Sequence, residues 1–554
     1  MSRRRDVVVI GAGHNGLTHA AYLAKAGLDV EVVEAAERIG GATATDEVEP
    51  GFLFSTFSYL VSLLRPEVIH ELDLVRHGLR LVPLDSTLNP LPDGDEIYRE
   101  ADRGRTYRNL ARHSKRDAEA YFDYKLRMTQ VARAAHRLQE TLASPELARE
   151  LAAPASDAGS EDQVADALSL LGAELLDLPT PQLVSLVQMF TMSAADFLAQ
   201  WFETDALLAA LSTSSIIGSF VSPRSPGSAY VLLHHYMGEV DGVYRAWGFQ
   251  PGGTGEVAQV LARAAREAGA TIRTDAPVEG LLIGERGVEG VRLRGGEEIR
   301  AAAVSSSLDP RTSLLRLPGD GAGPWLGEVE RRRLESWRSD GCSAKVNLAL
   351  SRPPSFACRP GRGAHLAGGI SIAPSVDYVE QAYDEARAGR PSSRPFIDLV
   401  VPSEIDPGMA PPGAAVVSCF VQYVPRRLAE GEWSDALRDE VGDAVMAALE
   451  EYAPGIGESV VRRQVLTPAD IESRVGIAGG NIFHGELRLS QLFLNRPLPG
   501  ASEFRTQLPG YYLCGSGCHP GGGISGAPGR FAALRLADDL RAAREAASTA
   551  EEER

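Results

Sequence analysis

The sequence predicts an α/β fold built around a parallel sheet whose strands come from separated parts of the chain. Three observations predict it. Asp6-Val7-Val8-Val9-Ile10 runs straight into Gly11-Ala12-Gly13-His14-Asn15-Gly16, then a helix-forming stretch and a β-rich stretch that ends at Glu34. Gly248–Ala270 is a glycine turn followed by an amphipathic helix, with short β runs after it. Gly510–Gly515 is a third short apolar strand, leading into a glycine-rich loop and a last helix.

Each element has its own reason. Val7–Ile10 is continuously apolar rather than alternating, the pattern of a parallel strand buried on both faces. Leu17–Ala26 has helical propensity and is stopped by Gly27. In the turn between them, Gly11 permits a tight reversal and Gly13 lets the backbone approach a pyrophosphate at the helix N-terminus. Gly16 allows close packing of helix on strand. Glu34, 18 residues beyond Gly16, is placed to accept hydrogen bonds from an adenosine ribose. Strand, turn, helix, strand and acid in register read as a Rossmann-type dinucleotide-binding unit, since a plain βαβ turn needs no terminal acid.

Ala35–Thr43 continues as Ala-Ala-Glu-Arg-Ile-Gly-Gly-Ala-Thr. A second glycine pair preceded by a cation lets the chain wrap the pyrophosphate. This extension resembles FAD-binding oxidoreductases of the glutathione-reductase and amine-oxidase type. The resemblance implies FAD, with Arg38, Gly40, Gly41 and Ala42 among its contacts. Phe52, Phe54, Phe57 and Tyr59 recur over the next eight residues. On a strand they would share one face toward substrate; on a loop they would be core.

Thr271–Ile283 is strand-like, and Gly287–Leu293 and Ile299–Val304 add short β runs with glycine turns. Near the C-terminus, Gly515 and Ser516 follow the last strand, and Gly521-Gly522-Gly523-Ile524-Ser525-Gly526 precedes the last helix. That run also spells GxGxxG, but no strand and acid follow it, so it is not a second nucleotide unit. It reads as one helix N-terminus, with Gly523, Ile524 and Ser525 presenting backbone to the edge of a flavin ring. The cofactor unit is therefore discontinuous, over 1–75, 245–310 and 498–545. An inserted α+β substrate unit covers 76–244 and 311–497, its first part mostly helical. Ala143–Asp166 reads as a surface helix plus a mobile loop, and 546–554 as a flexible, fraying tail.

Composition narrows the function. Lys+Arg is 56 against 74 Asp+Glu, a net charge of −18, which excludes a nucleic-acid backbone as the main partner. An anionic membrane is disfavoured as a main partner too, and peripheral membrane contact and oligomeric state are left open. With 44% hydrophobic residues the chain is not disordered. Five scattered cysteines read as reduced thiols in a cytoplasmic protein, and Cys514 and Cys518 are spaced for neither a redox pair nor zinc. No cluster has metal-ligand spacing, so no metal is expected. The uncharged runs Leu178–Ala195 and Ala206–Pro223 are too polar or proline-broken to span a bilayer but suit an apolar cavity.

Five pieces carry a wider resemblance: Val-Ile-Gly-Ala-Gly-His-Asn-Gly-Leu (9–17), Phe-Ser-Thr-Phe-Ser-Tyr (54–59), Ser-Pro-Gly-Ser-Ala-Tyr (225–230), Gly-Gly-Asn-Ile-Phe-His-Gly (479–485) and Leu-Cys-Gly-Ser-Gly-Cys-His-Pro-Gly-Gly-Gly (513–523). With them the chain resembles the phytoene desaturase-like branch of the FAD-dependent amine-oxidase superfamily. Within it, it is most like the group named for pyridine nucleotide-disulfide oxidoreductase domain-containing protein 2. The resemblance implies an amine-oxidase-type fold, noncovalent FAD and adenine contact by the backbone at Val278. Ser516 stands where many members have an acid on the ribityl chain.

Two histidines are candidates for catalysis, His519 in the loop expected to meet the flavin and His484 in Gly479–Gly485. The plainer reading of each is a loop-bracing imidazole bonded to backbone. The His234-His235 pair reads as structural, with one ring at most facing a pocket. The reading is an FAD-dependent oxidoreductase that moves hydride from a carbon of an apolar or partly apolar small molecule to flavin N5, reoxidised by oxygen or a quinone. Two alternatives stand beside it: a redox-neutral isomerase or saturase of a polyene-like substrate, and a flavin-stabilised interaction protein with little turnover.

Overall fold

A computed structural model describes residues 4–143, 172–173, 175, 177–322, 325–499 and 503–552. Its first sheet is assembled as the sequence pattern requires. Arg5–Ile10 lies at the centre, with Val30–Val33 and Glu298–Ser306 parallel on either side. Thr271–Arg273 extends the sheet beyond Val30–Val33, again parallel. Glu298–Ser306 forks. Its first residues carry the antiparallel strands Gly287–Leu293 and Val278–Gly284, while Val304–Ser306 pairs in parallel with Tyr511–Leu513. Val7, Val8 and Val9 are wholly buried, as a strand covered on both faces must be.

Three helices cover this sheet. His14–Lys25 packs against both Thr254–Glu267 and Ala527–Glu552. The crossing with the last helix is close: a Cβ on Gly529 would stand 2.3 Å from the Asn15 carbonyl oxygen. Buried His19 ties the layers together, Nδ1 donating to the Gly529 carbonyl at 3.1 Å and Nε2 meeting the Ser305 hydroxyl at 2.8 Å. Fully buried aliphatic residues such as Leu17, Val257 and Leu261 supply about 1.5–3 kcal/mol each relative to exposure.

Four expectations need correction. Thr271–Ile283 is two strands, because Asp275 turns left-handed (φ 51°) ahead of Pro277. The N–H groups of Asp275 and Ala276 go instead to the carbonyls of Ala36 and Glu34, at 3.0 and 2.8 Å. The helix of the C-terminus runs on to Glu552, through most of the stretch read as a fraying tail, on helix-favouring Ala and Glu residues. Leu314, Leu317, Leu326 and Leu334, placed with the substrate unit, pack into the first core. Finally, Ser86–Pro90 and Glu96–Glu100 leave the mostly helical 76–244 stretch to join the second sheet. The helix and loop expected over Ala143–Asp166 lie, beyond Ala143, outside the described residues.

The second sheet runs Val460–Leu466, Ser343–Leu350, Ala415–Gln422, Phe396–Val400, Gly369–Ile372, Ser86–Pro90, Glu96–Glu100. Every residue of Ser343–Leu350 and Ala415–Gln422 is buried, so these strands are covered on both faces. Lys115–Leu142, Thr180–Thr191 and Ser228–Tyr236 contribute to a separate helical core around Tyr124 and Phe202. The aromatic series divides where its strand ends, at Ser55. Phe52 and Phe54 enter a small core with Ala349 and Val416, whereas Phe57 and Tyr59 turn to a cavity. No helix among the described residues is long and apolar enough to cross a membrane.

Candidate functional site

The N-terminal turn has the geometry its glycines predict. Gly11 is at φ +93°, and a Cβ on Gly16 would stand 2.1 Å from the Gly11 carbonyl oxygen. Gly13 caps the helix His14–Lys25 without any side-chain hydrogen bond, so the first N–H groups of that helix are available to an anion. The second glycine pair folds back onto this turn: Gly40 N–H donates to the Ala12 carbonyl at 2.9 Å, Gly13 and Gly40 form a bridge, and Gly41 lies against the Gly13 Cα. Glu34 accepts from Ala12 N–H at 2.7 Å and from Ala36 N–H at 3.0 Å. It braces the turn. Val278 starts its strand opposite Leu293, next to the Ala276 link to Glu34. Arg38 is turned to Asp46 at 2.6 Å with a side chain 70% exposed.

The C-terminal loop closes over this turn. Asn15 Nδ2 donates to the Ser516 hydroxyl at 3.0 Å, joining two residues 501 positions apart. Gly515 is forced by crowding, since a Cβ there would stand 2.3 Å from the Ser307 carbonyl oxygen. Asn15 Oδ1 and His14 Nε2 are buried without a hydrogen-bond partner. Buried polar atoms of this kind cost about 1–3 kcal/mol each when left unpaired. Their position beside free helix N–H groups suits a phosphate-bearing cofactor. Ser525 departs from expectation. Its N–H is spent on the Gly523 carbonyl and its hydroxyl accepts from Ala527 N–H, so it caps the last helix, and only Gly523 and Ile524 of the trio line the cavity.

That cavity, about 130 Å³, lies between the glycine loops and the second sheet. His14, Ala42, Thr43, Gly523 and Ile524 form one wall; Tyr59, Trp247, Phe420, Phe483 and Lys345 stand among the others. The uncharged runs contribute Ile217, and of the histidine pair only His235 lines it, stacked on Trp247 at 5.9 Å. No carboxylate is among its described lining residues.

Lys345 is the residue that sequence reasoning missed. It is the one charged residue in the strand Ser343–Leu350, and a lone lysine in so apolar a run was the available signal. Its ammonium donates to Asn347 Oδ1 and the Ser418 hydroxyl and lies 5.6 Å over the Tyr59 ring. Burial pushes its pKa down to about 7, with Cys419 acting the other way. Tyr59 in turn donates to Asp398 at 2.6 Å.

Neither catalytic candidate lines the cavity. His519 Nε2 donates to the Gln139 carbonyl at 2.9 Å, and its ring stacks on Phe531. Burial holds it neutral, at about 4. It fastens the C-terminal loop to the helix Lys115–Leu142. We therefore expect His519→Ala to cost about 1–2 kcal/mol in thermal stability, with His519→Gln restoring the donor and the turnover of folded protein unchanged. A selective loss of turnover at full stability would return His519 to the chemistry. His484 sits at φ 57° in a turn held by Asn481, whose Oδ1 accepts from the N–H groups of Phe483 and Gly485. Its Nδ1 is buried and unpartnered, and burial holds the ring at about 4 with Asp309 opposing.

All five cysteines are free. Burial raises the thiols of Cys514 and Cys518, the latter to about 12, so neither is poised as a redox thiolate.

The sequence profile of the flavin containing amine oxidoreductases matches residues 16–529. The chain is 39% identical to pyridine nucleotide-disulfide oxidoreductase domain-containing protein 2 of Rattus norvegicus, over 97% of this chain and 94% of that one. It is 26% identical to one of the subunits of limonene dehydrogenase from Castellaniella defragrans, over 97% and 95%. An oxidoreductase from Methanosarcina mazei shares the fold, with a TM-score of 0.55 at 17% identity, covering 97% of this chain and 100% of that one.

Proposed function

Because the chain belongs to the flavin containing amine oxidoreductase family and is an FAD-dependent oxidoreductase, we propose that it desaturates or dehydrogenates an uncharged, largely apolar small molecule. The observation that carries this reading is the cavity. It joins the glycine-lined wall to an apolar wall holding one lysine poised near neutrality and no described carboxylate. A protonated amine would find no counter-charge there. The name of the limonene dehydrogenase relative, which matches over nearly the full chain, points to the same substrate class.

The residues divide the work. Gly11, Gly13, Gly16, Gly40, Gly41 and Ala42 cradle the pyrophosphate, Glu34 takes the ribose hydroxyls, and Val278 backbone meets the adenine. Asn15, Ser516 and the unpartnered His14 Nε2 face the ribityl side, with Gly515 allowing the approach. Gly523 and Ile524 present backbone to the ring edge. Bound FAD supplies the two-electron acceptor for a hydride. Lys345 Nζ, when neutral, takes the proton from the adjacent carbon, so that the C–H electron pair left behind forms the new double bond. Tyr59, Trp247 and Phe420 exclude water. We divide the chain into a cofactor unit of 1–75, 245–310 and 498–545, whose core Leu314, Leu317, Leu326 and Leu334 also join, and a substrate unit between, a division supported by the sheet shared by Arg5–Ile10, Glu298–Ser306 and Tyr511–Leu513. The run 521–526 opens only into the last helix, so we assign reoxidation to oxygen or a quinone rather than to a second bound nucleotide.

The test is anaerobic mixing of the purified protein with terpenes, longer polyenes and primary amines, following loss of oxidised-flavin absorbance. Bleaching by a hydrocarbon with a desaturated product supports the proposal; bleaching by amines alone would defeat it. Denaturation should release the flavin, since the sequence carries no Cys or His in a recognised attachment motif; flavin retained on the polypeptide would contradict noncovalent binding. Glu34→Ala should weaken FAD binding to apoprotein by about 1.5–3 kcal/mol, the scale of a hydrogen bond to a charged group. An unchanged dissociation constant in a folded variant would show that Glu34 does not face the ribose.

A further inference from the structure

A second cavity, about 530 Å³, shares no lining residue with the first. Its size falls within the range of about 300–1,000 Å³ usual for small-molecule sites. Tyr98 and Glu100 enter it from the edge strand of the second sheet, and Arg105 and Arg108 from the helix Arg103–Ala111. Arg359, Arg362 and His365 come from the loop that crosses them. The chain carries a net charge of −18, yet here four guanidinium groups face one lining carboxylate, Glu100.

Three of these arginines are exposed and Arg359 is half-buried, but two of them are held in place. Arg359 is gripped through Nε and Nη2 by both oxygens of Glu96, at 2.6 and 2.6 Å, and lies 3.7 Å over the Tyr98 ring. Arg362 is held on the same edge by Glu404, Nε at 3.2 Å and Nη2 at 2.9 Å. Both grips leave Nη1 uncommitted while fixing the plane of the group. Little side-chain entropy is then lost when an anion arrives. Arg105 Nη1 stands 3.7 Å from Glu100, too far for a hydrogen bond. Arg108 makes no carboxylate hydrogen bond or ion pair among the described residues, though the Asp102 carboxylate at the start of its helix feels its charge.

The second observation is His365. It lines the cavity, is 5% exposed, and its Nε2 is buried without any hydrogen-bond partner. A solvated charge patch does not explain a buried ring nitrogen left unpaired, which costs about 1–3 kcal/mol. The ring lines the groove although Nε2 itself is covered, so a ligand oxygen among the arginines would satisfy it once the ring turns outward. We propose that this groove is a second ligand site, for a compact, multiply charged anion bearing phosphoryl or carboxylate groups, held by the free edges of Arg359 and Arg362, by Arg105 and Arg108, and by His365.

Pyrophosphate and citrate are the probes, titrated calorimetrically into FAD-loaded protein so that the cofactor's own phosphate site is filled. Flavin absorbance is monitored to show that FAD stays bound. One site per chain is expected for at least one probe. Binding of pyrophosphate alone identifies phosphoryl chemistry, of citrate alone carboxylate chemistry, and of both the shared charge pattern. The exposed pair Arg108→Ala/Arg362→Ala should raise the dissociation constant by about tenfold or more, the effect of losing one charge-assisted hydrogen bond, with an unchanged circular dichroism spectrum. Failure of both probes to bind the parent would overturn the site. So would unchanged affinity in the double variant, or equal displacement by sodium chloride at matched ionic strength.

Discussion

Arg496→Ala is expected to destabilise the protein by about 4–5 kcal/mol or more, and to empty the FAD site with it. Among the described residues Arg496 is the largest wholly buried side chain, and none of their carboxylates pairs with it. Its guanidinium instead donates to six backbone carbonyls. Nε reaches Cys518, Nη1 reaches Gln491 and Glu486, and Nη2 reaches Phe483, Ser516 and Gly485, at distances from 2.7 to 3.4 Å. Burial lowers its pKa to about 10, so it remains charged at neutral pH and the carbonyl dipoles act as its counter-charge. Truncation would leave these carbonyls unpaired inside the protein, at about 1–3 kcal/mol each before relaxation.

The effect reaches the cofactor because of what Arg496 joins. One set of carbonyls belongs to the loop through Phe483–Gln491, the other to Ser516 and Cys518. Ser516 receives the Asn15 amide, so the guanidinium fixes the loop that closes the glycine turn. Lysine is no substitute, since three donors on one point cannot span both loops. Thermal melts of the Ala and Lys variants with and without added FAD check this. Variants within about 1 kcal/mol of the parent, taken as the threshold for a surface-like effect, would mean that the two loops hold each other without the arginine.

The sequence and the structure agree where local chemistry decides. Gly11, Gly16 and Gly40 each occupy a conformation or a contact that only glycine permits, and Glu34 closes the turn from a fixed distance along the chain. Such features are written within about 35 residues and are legible there. The second sheet was not legible, because Ser86–Pro90 and Gly369–Ile372 pair across nearly three hundred residues and neither shows a strong period. Lys345 and Arg496 were missed for a related reason. Their weight comes from burial, and a basic residue in a single sequence reads first as exposed. His519 and Ser525 show the other side of this. Both stand in a loop that reaches the cavity, and the hydrogen bonds they make there, to the Gln139 carbonyl and from Ala527 N–H, depend on partners far from that loop's motif or at its helix end.

Lys345→Met should lower turnover by about 10²–10⁴-fold, the usual worth of a positioned proton acceptor, while leaving the fold at least as stable. The two effects have opposite signs for one reason. Lysine titrates near about 10.4 in an unfolded chain, and burial in the strand Ser343–Leu350 brings it down to about 7. Between these values the unfolded chain binds one more proton than the folded one. Stability contributed at this site therefore rises with pH across that window and is lowest below it, where the folded protein must bury a charged ammonium. Methionine removes that penalty, and replacing buried charge by apolar volume is neutral or stabilising by about 1–2 kcal/mol. Asn347 Oδ1 and the Ser418 hydroxyl lose a donor in exchange, but they also bond to each other at 3.2 Å. Turnover depends on the neutral amine, so the parent's rate should climb with pH and level off above about 7, and the methionine variant should lose that limb. Single-turnover flavin reduction across pH, with melts of both proteins at the same pH values, reads both quantities. A variant that keeps the pH limb assigns the proton to another group, and one that loses stability at neutral pH makes Lys345 a structural residue.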